Sequence, residues 1–292
     1  MALLAFSRAR PDLTVLEVGL GGRLDATNVV AAEVAVVTGV ALDHEAMLGS
    51  TLRAIAGEKA GIFKRGQHVI LGAAGEPEAV PWLRGAAQAV GAADIVEIDA
   101  AAIAAVPTLG LLGVHQRANA AAAIAAAVAA GVPVDVAALA GVRHPGRLEQ
   151  VAGAPTVILD GAHNPHGARA LAAAMATMPR PRVLVLGVSA DKDAAAIAAP
   201  LVAEAEQVIA TRYQQERALP PPALAAVVGP RATVAGDVAA ALAAARATAP
   251  PPATIVIAGS LLLVGEARAL RVPGAHDPLA VSDPAPPAPE VA

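Results

Sequence analysis

Cysteine is absent from the 292 residues. That excludes disulfides, zinc–thiolate sites and a cysteine nucleophile. Aromatic side chains are almost absent, being limited to Phe6, Phe63, Trp82 and Tyr213. Lysine is scarce: Lys59, Lys64 and Lys192 stand against eighteen arginines. No excess of positive charge is present either, since the net charge is −4. A nucleic-acid partner or an anionic membrane surface is therefore not indicated. No run of about 20 uncharged apolar residues reads as a membrane span, and the Ala-rich stretch 118–130 is too short and too weakly apolar. The start, MALLAFSRARPD, has no basic leader or cleavage site. These absences lead to the expectation of a soluble cytoplasmic protein.

What is present is small and apolar. Hydrophobic residues make up 56% of the chain, mostly Ala, Val and Leu, so its cores are built from many small contacts and its Ala-rich stretches favour helix. Short β-branched runs alternate with those stretches. Leu13–Val18, Val34–Thr38, Val69–Leu71 and Ile95–Ile98 read as strands, with helices at 51–60, 77–90 and 116–130. The last helix stops at Gly131 with Pro133 beyond. The alternation restarts with strands at Thr156–Asp160, Arg182–Val188, Gln207–Thr211 and Thr254–Ala258. Helices are expected at 165–178, 192–204, 237–247 and 260–270. This predicts an α/β chain with two open, mostly parallel sheets and flanking helices. The pattern is interrupted at His144-Pro145-Gly146-Arg147, which divides a first domain, 1–150, from a second, 151–272. The Pro-, Ala- and Asp-rich residues 273–292 read as a disordered tail.

Open α/β sheets bind ligands at the carboxyl ends of their strands, and polar residues gather there. Glu17 ends an apolar run before Gly19-Leu20-Gly21-Gly22-Arg23-Leu24-Asp25. The spacing is not that of a dinucleotide loop, yet a carboxylate at that point needs a cation or hydrogen bonds. Asp43-His44 follows the next strand, so His44 can share a divalent metal with Glu17 or serve only structure. Lys59 lies at a helix end before Gly61, where the helix dipole alone would favour it. Gln116 and Asn119 share a helix face. Arg147 can reach a phosphate between the domains or form an interdomain ion pair. In Leu159-Asp160-Gly161-Ala162-His163-Asn164-Pro165, Asn164 reads as a helix N-cap and Pro165 as the first helical residue. Capping does not account for Asp160 and His163 at the strand end. Asp191-Lys192-Asp193 and Gly259-Ser260 occupy two further strand-to-helix turns, where each could be an ordinary cap.

Seven segments in order, LEVGLGGRLDATNVV, VALDHEAMLGSTLRAIAGEKAGIFK, GVHQRANAAAAIAAA, HPGRLE, LDGAHNPHGARAL, DKD and GSLLLVGEAR, resemble the folylpolyglutamate synthase/dihydrofolate synthase family, a branch of the Mur ligases. The resemblance runs from about residue 11 to 271. It implies an ATP-dependent amide ligase that phosphorylates a folate or dihydropteroate carboxylate and joins L-glutamate to it. It further implies Glu17 and His44 as Mg²⁺ ligands and Lys59 as the lysine carbamylated in this superfamily. Asn119, Arg147 and Asp160 are implied as ATP contacts, with Arg147 near the terminal phosphate. Asp160, His163 and Ser260 are implied as glutamate contacts, and Arg147 and His163 join Lys59 as catalytic candidates. Lys192 matches the family's Asp-Lys-Asp turn. The expected cofactors are ATP and Mg²⁺, the expected partners are small molecules, and the family habit is a monomer.

One departure is plain. Such ligases carry a glycine-rich phosphate loop ending in Gly-Lys-Ser/Thr, whose amides and lysine hold phosphates. This chain has no Gly-Lys pair. The expectation is therefore an N-terminally truncated family member lacking the first strand and phosphate loop. It would be a fragment of a longer enzyme, a short form completed by another chain, or an inactive remnant that keeps a nucleotide- and glutamate-binding module.

Overall fold

The computed structural model describes residues 2–272; the tail expected over 273–292 lies outside the described residues. After α1 (Ala2–Ala9), the first half runs β1 (Val34–Val37), α2 (Glu45–Leu48), α3 (Leu52–Ala60), β2 (His68–Leu71), α4 (Val80–Val90), β3 (Asp94–Glu97), α5 (Ala100–Ala105) and α6 (Val114–Ala129). The three strands form a parallel sheet in the order β1-β2-β3. Successive side chains of a strand point to opposite faces, and β2 shows the consequence. Val69 and Leu71 join α3 and α4 in one core with Ile55, Phe63 and Leu83. Ile70 turns the other way, into a core with Val106, Ala121 and Ala122 of the α5–α6 layer.

The second half runs β4 (Glu149–Val151), β5 (Thr156–Leu159), α7 (Pro165–Met175), β6 (Arg182–Leu186), α8 (Ala194–Ala203), β7 (Gln207–Ala210), α9 (Pro221–Val228), β8 (Ala232–Val234), α10 (Val238–Thr248), β9 (Thr254–Ala258) and α11 (Leu261–Ala269). Its sheet has the order β4-β5-β9-β6-β7-β8, parallel except for β4 against β5. Every residue of β6 and β9 is buried, which is why these strands read as unbroken apolar runs. Val183, Val185, Ile255 and Ile257 face the α10–α11 side. Leu184, Leu186, Val256 and Ala258 face α7, α8 and α9. The fold is thus α/β with two mostly parallel sheets and flanking helices.

The strand expected at Leu13–Val18 is not formed. The segment has no ladder partner among the described strands, and Leu13 and Val15 are 50% and 83% exposed. Alternating apolar residues make a strand only when a neighbour takes their N–H and C=O groups and a layer covers one face; neither condition is met here. Six short elements, α1, α2, α5, α9, β4 and β8, escaped the sequence reading, three of them for identifiable reasons. Helix α9 begins in Pro220-Pro221-Pro222, a run that looks like a loop although proline is tolerated in a first helical turn. Strands β4 and β8 are three-residue edges with little apolar pattern.

Candidate functional site at the junction of the two sheets

The loops that leave β1, β5, β6 and β9 at their carboxyl ends face one another across the junction of the two halves. Beyond β1, Asp43 precedes His44, a non-glycine residue held in the left-handed region (φ 51°) at the start of α2. Such a conformation is sparsely populated and persists where surrounding contacts enforce it. Beyond β5, Asn164 caps α7 by accepting from the Gly167 N–H at 2.7 Å, and Pro165 opens the helix. Its side-chain N–H₂ is left to point across the junction.

Asp43 is where the halves meet. Oδ1 accepts from Lys192 Nζ at 2.7 Å, and Oδ2 accepts from Asn164 Nδ2 at 2.7 Å. His163 Nε2 lies 3.3 Å from the same Oδ2, while its Nδ1–H donates to the Gly161 carbonyl at 2.8 Å. Burial alone would raise the Asp43 carboxyl, but hydrogen bonds from His163, Lys192 and Asn164 hold it well below the usual carboxylate range. The His163 imidazole is raised by its hydrogen bond to Asp43, against burial, which lowers it. Lys59 sits on the same side. Burial pushes its amine down, and the charge of Asp43 opposes this only in part.

Asp43, His44 and His163 each offer one ligand atom, and these atoms lie within 4.8 Å of one another. Glu17 is exposed and is not a member of that group. Its loop is nevertheless tied to α3: Arg23 N–H donates to the Glu58 carbonyl at 2.8 Å, and Asn28 Nδ2 to the Gly61 carbonyl at 3.0 Å. Lys64 Nζ closes the tie on Asn28 Oδ1 at 2.6 Å.

Asp160 is buried, and both oxygens are used by backbone. Oδ2 accepts from Leu148 N–H and Oδ1 from Ala162 N–H, each at 2.9 Å. Burial raises its carboxyl, and these two bonds and the charge of Arg147 counter part of that rise. The bond to Leu148 fixes the junction, where Leu148 itself adopts φ 48°. Arg147 lies against Gly161: a Cβ there would stand 2.3 Å from Leu261 Cδ2 and 3.2 Å from Arg147 Nη1. Glycine at 161 therefore leaves room for Leu261, with the Arg147 guanidinium beside the turn. Ser260 caps α11, accepting from Leu262 N–H at 3.2 Å. Asn119 donates to Gln116 Oε1 at 3.0 Å, and Gln116 in turn donates to His115 Nε2 at 3.2 Å.

The structure thus gathers His44, Lys59 and His163 around Asp43. It sets Arg147, Asp160 and Ser260 at the neighbouring β5 and β9 ends, and leaves Glu17 at the exposed rim. Sequence reasoning gave no role to Asp43 and only a capping role to Asn164. The available signal was a second acid beside His44 at a strand end, in a chain with few charges.

Residues 146–261 match the family described as Mur ligase, glutamate ligase domain. The chain is 42% identical over 212 residues to a dihydrofolate synthase/folylpolyglutamate synthase of Escherichia coli (strain K12), covering 66% of this chain and 50% of that protein. It spans about half the length of the curated relatives it matches. Among solved structures, Mycobacterium tuberculosis folylpolyglutamate synthase complexed with ADP superposes with a TM-score of 0.84 at 34% identity, covering 94% of this chain and 71% of that one. A bifunctional folylpolyglutamate synthase/dihydrofolate synthase with Mn, AMPPNP and L-glutamate bound gives 0.80 at 31%, covering 92% and 69%. Among the described residues, no helix is long and apolar enough to cross a membrane.

Proposed function

The chain belongs to the folylpolyglutamate synthase/dihydrofolate synthase family of Mur ligases, and from that premise we propose that its interdomain site serves the ATP-dependent joining of L-glutamate to a folate or dihydropteroate carboxylate. The observation that carries this reading is the convergence of Asp43, His44, His163, Asn164 and Lys192 from two sheets on one point, with Lys59 near enough for the charge of Asp43 to act on it. In the reaction, a carboxylate oxygen attacks the terminal phosphorus of ATP and ADP leaves. The amine of glutamate then attacks the acyl carbon, loses a proton and expels phosphate.

Phosphoryl transfer asks the protein for position and charge more than for covalent chemistry. The Arg147 guanidinium, which has no side-chain hydrogen-bond or ion-pair partner among the described residues, offers a planar cation suited to phosphate oxygens. Asn119 and Asp160 are assigned to the nucleotide side. Asp160, His163 and Ser260 are assigned to glutamate, with Asp160 acting through the backbone it fixes. His44, Asp43 and His163 fit a divalent cation by donor type, one carboxylate oxygen with two imidazole nitrogens. That mixture suits Mn²⁺ more than Mg²⁺, which prefers oxygen alone. When bound, the metal would neutralise phosphate charge. Glu17 enters the metal set on the family resemblance only. Lys59, with its lowered amine, is the residue to carry a carbamate. Closure of the two halves keeps water from an acyl phosphate.

The test is ADP release by pure, folded protein that depends on both L-glutamate and dihydropteroate or a tetrahydrofolate. No turnover would sink intrinsic ligase activity.

A further inference from the structure

Besides Asp43, the two halves meet at a second point, and the first turns of α7 carry it. His166 Nε2–H donates to the Ala74 carbonyl at 2.7 Å, and Nδ1–H donates to Glu76 Oε1 at 3.2 Å. Both ring nitrogens face acceptors, and an imidazole donates through both only as a cation. Arg169 follows three residues on, on the same face of the helix, and its guanidinium donates to the same Glu76 oxygen. The loop that α7 grips is itself fixed. Ala74 N–H donates to the Thr38 carbonyl at 3.1 Å and Glu76 N–H to the Val40 carbonyl at 2.8 Å, so the loop after β2 is tied to the loop after β1. No side chain fits between them. A Cβ on Gly39 would stand 2.3 Å from Gly75 N, and one on Gly75 would stand 2.2 Å from Val40 N. Val40 is three residues before Asp43. On the other side, α7 is preceded by His163 and Asn164, which reach Asp43.

We infer that Glu76, His166 and Arg169 are positioning residues, which lock the start of α7 onto the paired loops of the first half and so hold His163 and Asn164 against Asp43. The inference rests on the ligase reading only in taking the Asp43 cluster as the reacting site. Glu76 is the shared acceptor, so losing its charge frees both cations of α7 at once. It also belongs to the loop tied to the stem of Asp43, so the lock acts on Asp43 and on its partners together. The side chains of Glu76 and His166 are 33% and 30% exposed, and ion pairs open to water add little stability. The expected effect of breaking the lock is therefore a change of position between the halves, with each half still folded.

The test uses the whole chain and needs no turnover. Cysteine is absent, so Gln88→Cys on α4 and Ala199→Cys on α8, both exposed positions, place spin labels at two sites and nowhere else. Pulsed EPR should give one narrow distance distribution between the labels, and Glu76→Gln should broaden it while the urea midpoint moves little. Arg169→Leu should broaden it as well, and the reversed pair Glu76→Lys/Arg169→Glu should narrow it again. A second readout follows the cluster itself. With lysines carrying isotopically labelled methyl groups, Glu76→Gln should shift the NMR signal of Lys192, which is bonded to Asp43, and leave in place that of Lys64, which is bonded to Asn28. A distribution equally narrow in Glu76→Gln and the wild type would overturn the proposal. So would Lys192 and Lys64 signals that shift together, since that marks a general loosening. A chain that shows the lock yet releases no ADP would spare this proposal and sink only the ligase activity. ADP release that is unchanged in Glu76→Gln would do the reverse.

Discussion

Asp43 Oδ1 and Lys192 Nζ lie 2.7 Å apart although 149 positions separate them in the chain. Their side chains are 17% and 12% exposed, so neither is well solvated and each depends on the other. Lys192→Met is expected to destabilise the folded chain by about 1–3 kcal/mol, the cost of leaving a charged acceptor short of a donor. Asp43→Asn should cost a similar amount, and the double variant much less than the sum. Urea unfolding of the four proteins gives the coupling, expected at roughly 0.5–3 kcal/mol. Additive losses would show that the pair does not couple.

The same cluster gives stability a pH dependence. The His163 imidazole is raised from its ordinary 6.5, so its contribution is complete below that value and is lost as pH rises through the raised one. The Asp43 carboxyl is depressed from 3.8, so its contribution is complete above that value and is lost only as pH falls through the depressed one. Asp160 is raised from 3.8 by burial, so ionising it in the folded chain also lowers stability as pH increases. Urea midpoints should be highest on the acid side of neutrality and fall toward pH 9. His163→Gln should flatten that fall, and an unchanged slope in this variant would remove His163 as its source.

Asp160 accepts one backbone N–H on each oxygen. Asparagine has the same shape but presents an N–H₂ group to one of those donors. Asp160→Asn is therefore expected to cost about 1–3 kcal/mol despite removing a buried charge. The loss should appear as faster amide exchange at Leu148 or Ala162. A stability equal to the wild type would mean that relief of the buried charge offsets the lost bond.

How much of this was legible in the sequence depends on range. The Asn164-Pro165 start of α7 was readable because cap and proline are local chemistry within three residues. The parallel halves were readable because fully buried strands such as β6 and β9 leave apolar runs. Leu13–Val18 misled because its pattern is strand-like while pairing is a property of neighbours, which a single segment does not encode. Asp43 was visible beside His44, but its partners Asn164 and Lys192 are 121 and 149 residues away, and no spacing rule joins positions on two separate sheets. Lys59 looked like a helix-end cation, but the loop carrying Arg23 and Asn28 packs over that end of α3 through the Glu58 and Gly61 carbonyls, a contact between segments more than 30 residues apart that no local pattern encodes.

The burial of Lys59 leads to a prediction about carbon dioxide. Only a neutral amine adds CO₂, and burial lowers the Lys59 amine. The product is an anion, however, and Asp43 is close enough for its charge to act on Lys59. A carbamate there would meet like charge unless cations intervene. Lys192 already compensates Asp43 in part, and a divalent ion at Asp43, His44 and His163 would add to this. In ¹³C-bicarbonate, the chain is expected to show a carbamate carbon by NMR that grows on addition of Mg²⁺. The signal should disappear in Lys59→Met and persist in Lys64→Met, whose amine is engaged with Asn28. Lys192→Met should weaken it, since removing that ammonium leaves Asp43 less compensated. A signal that ignores Mg²⁺ and Lys192 would show that Asp43 does not govern the charge at Lys59. No signal at high bicarbonate with Mg²⁺ present would remove Lys59 from the proposed machinery.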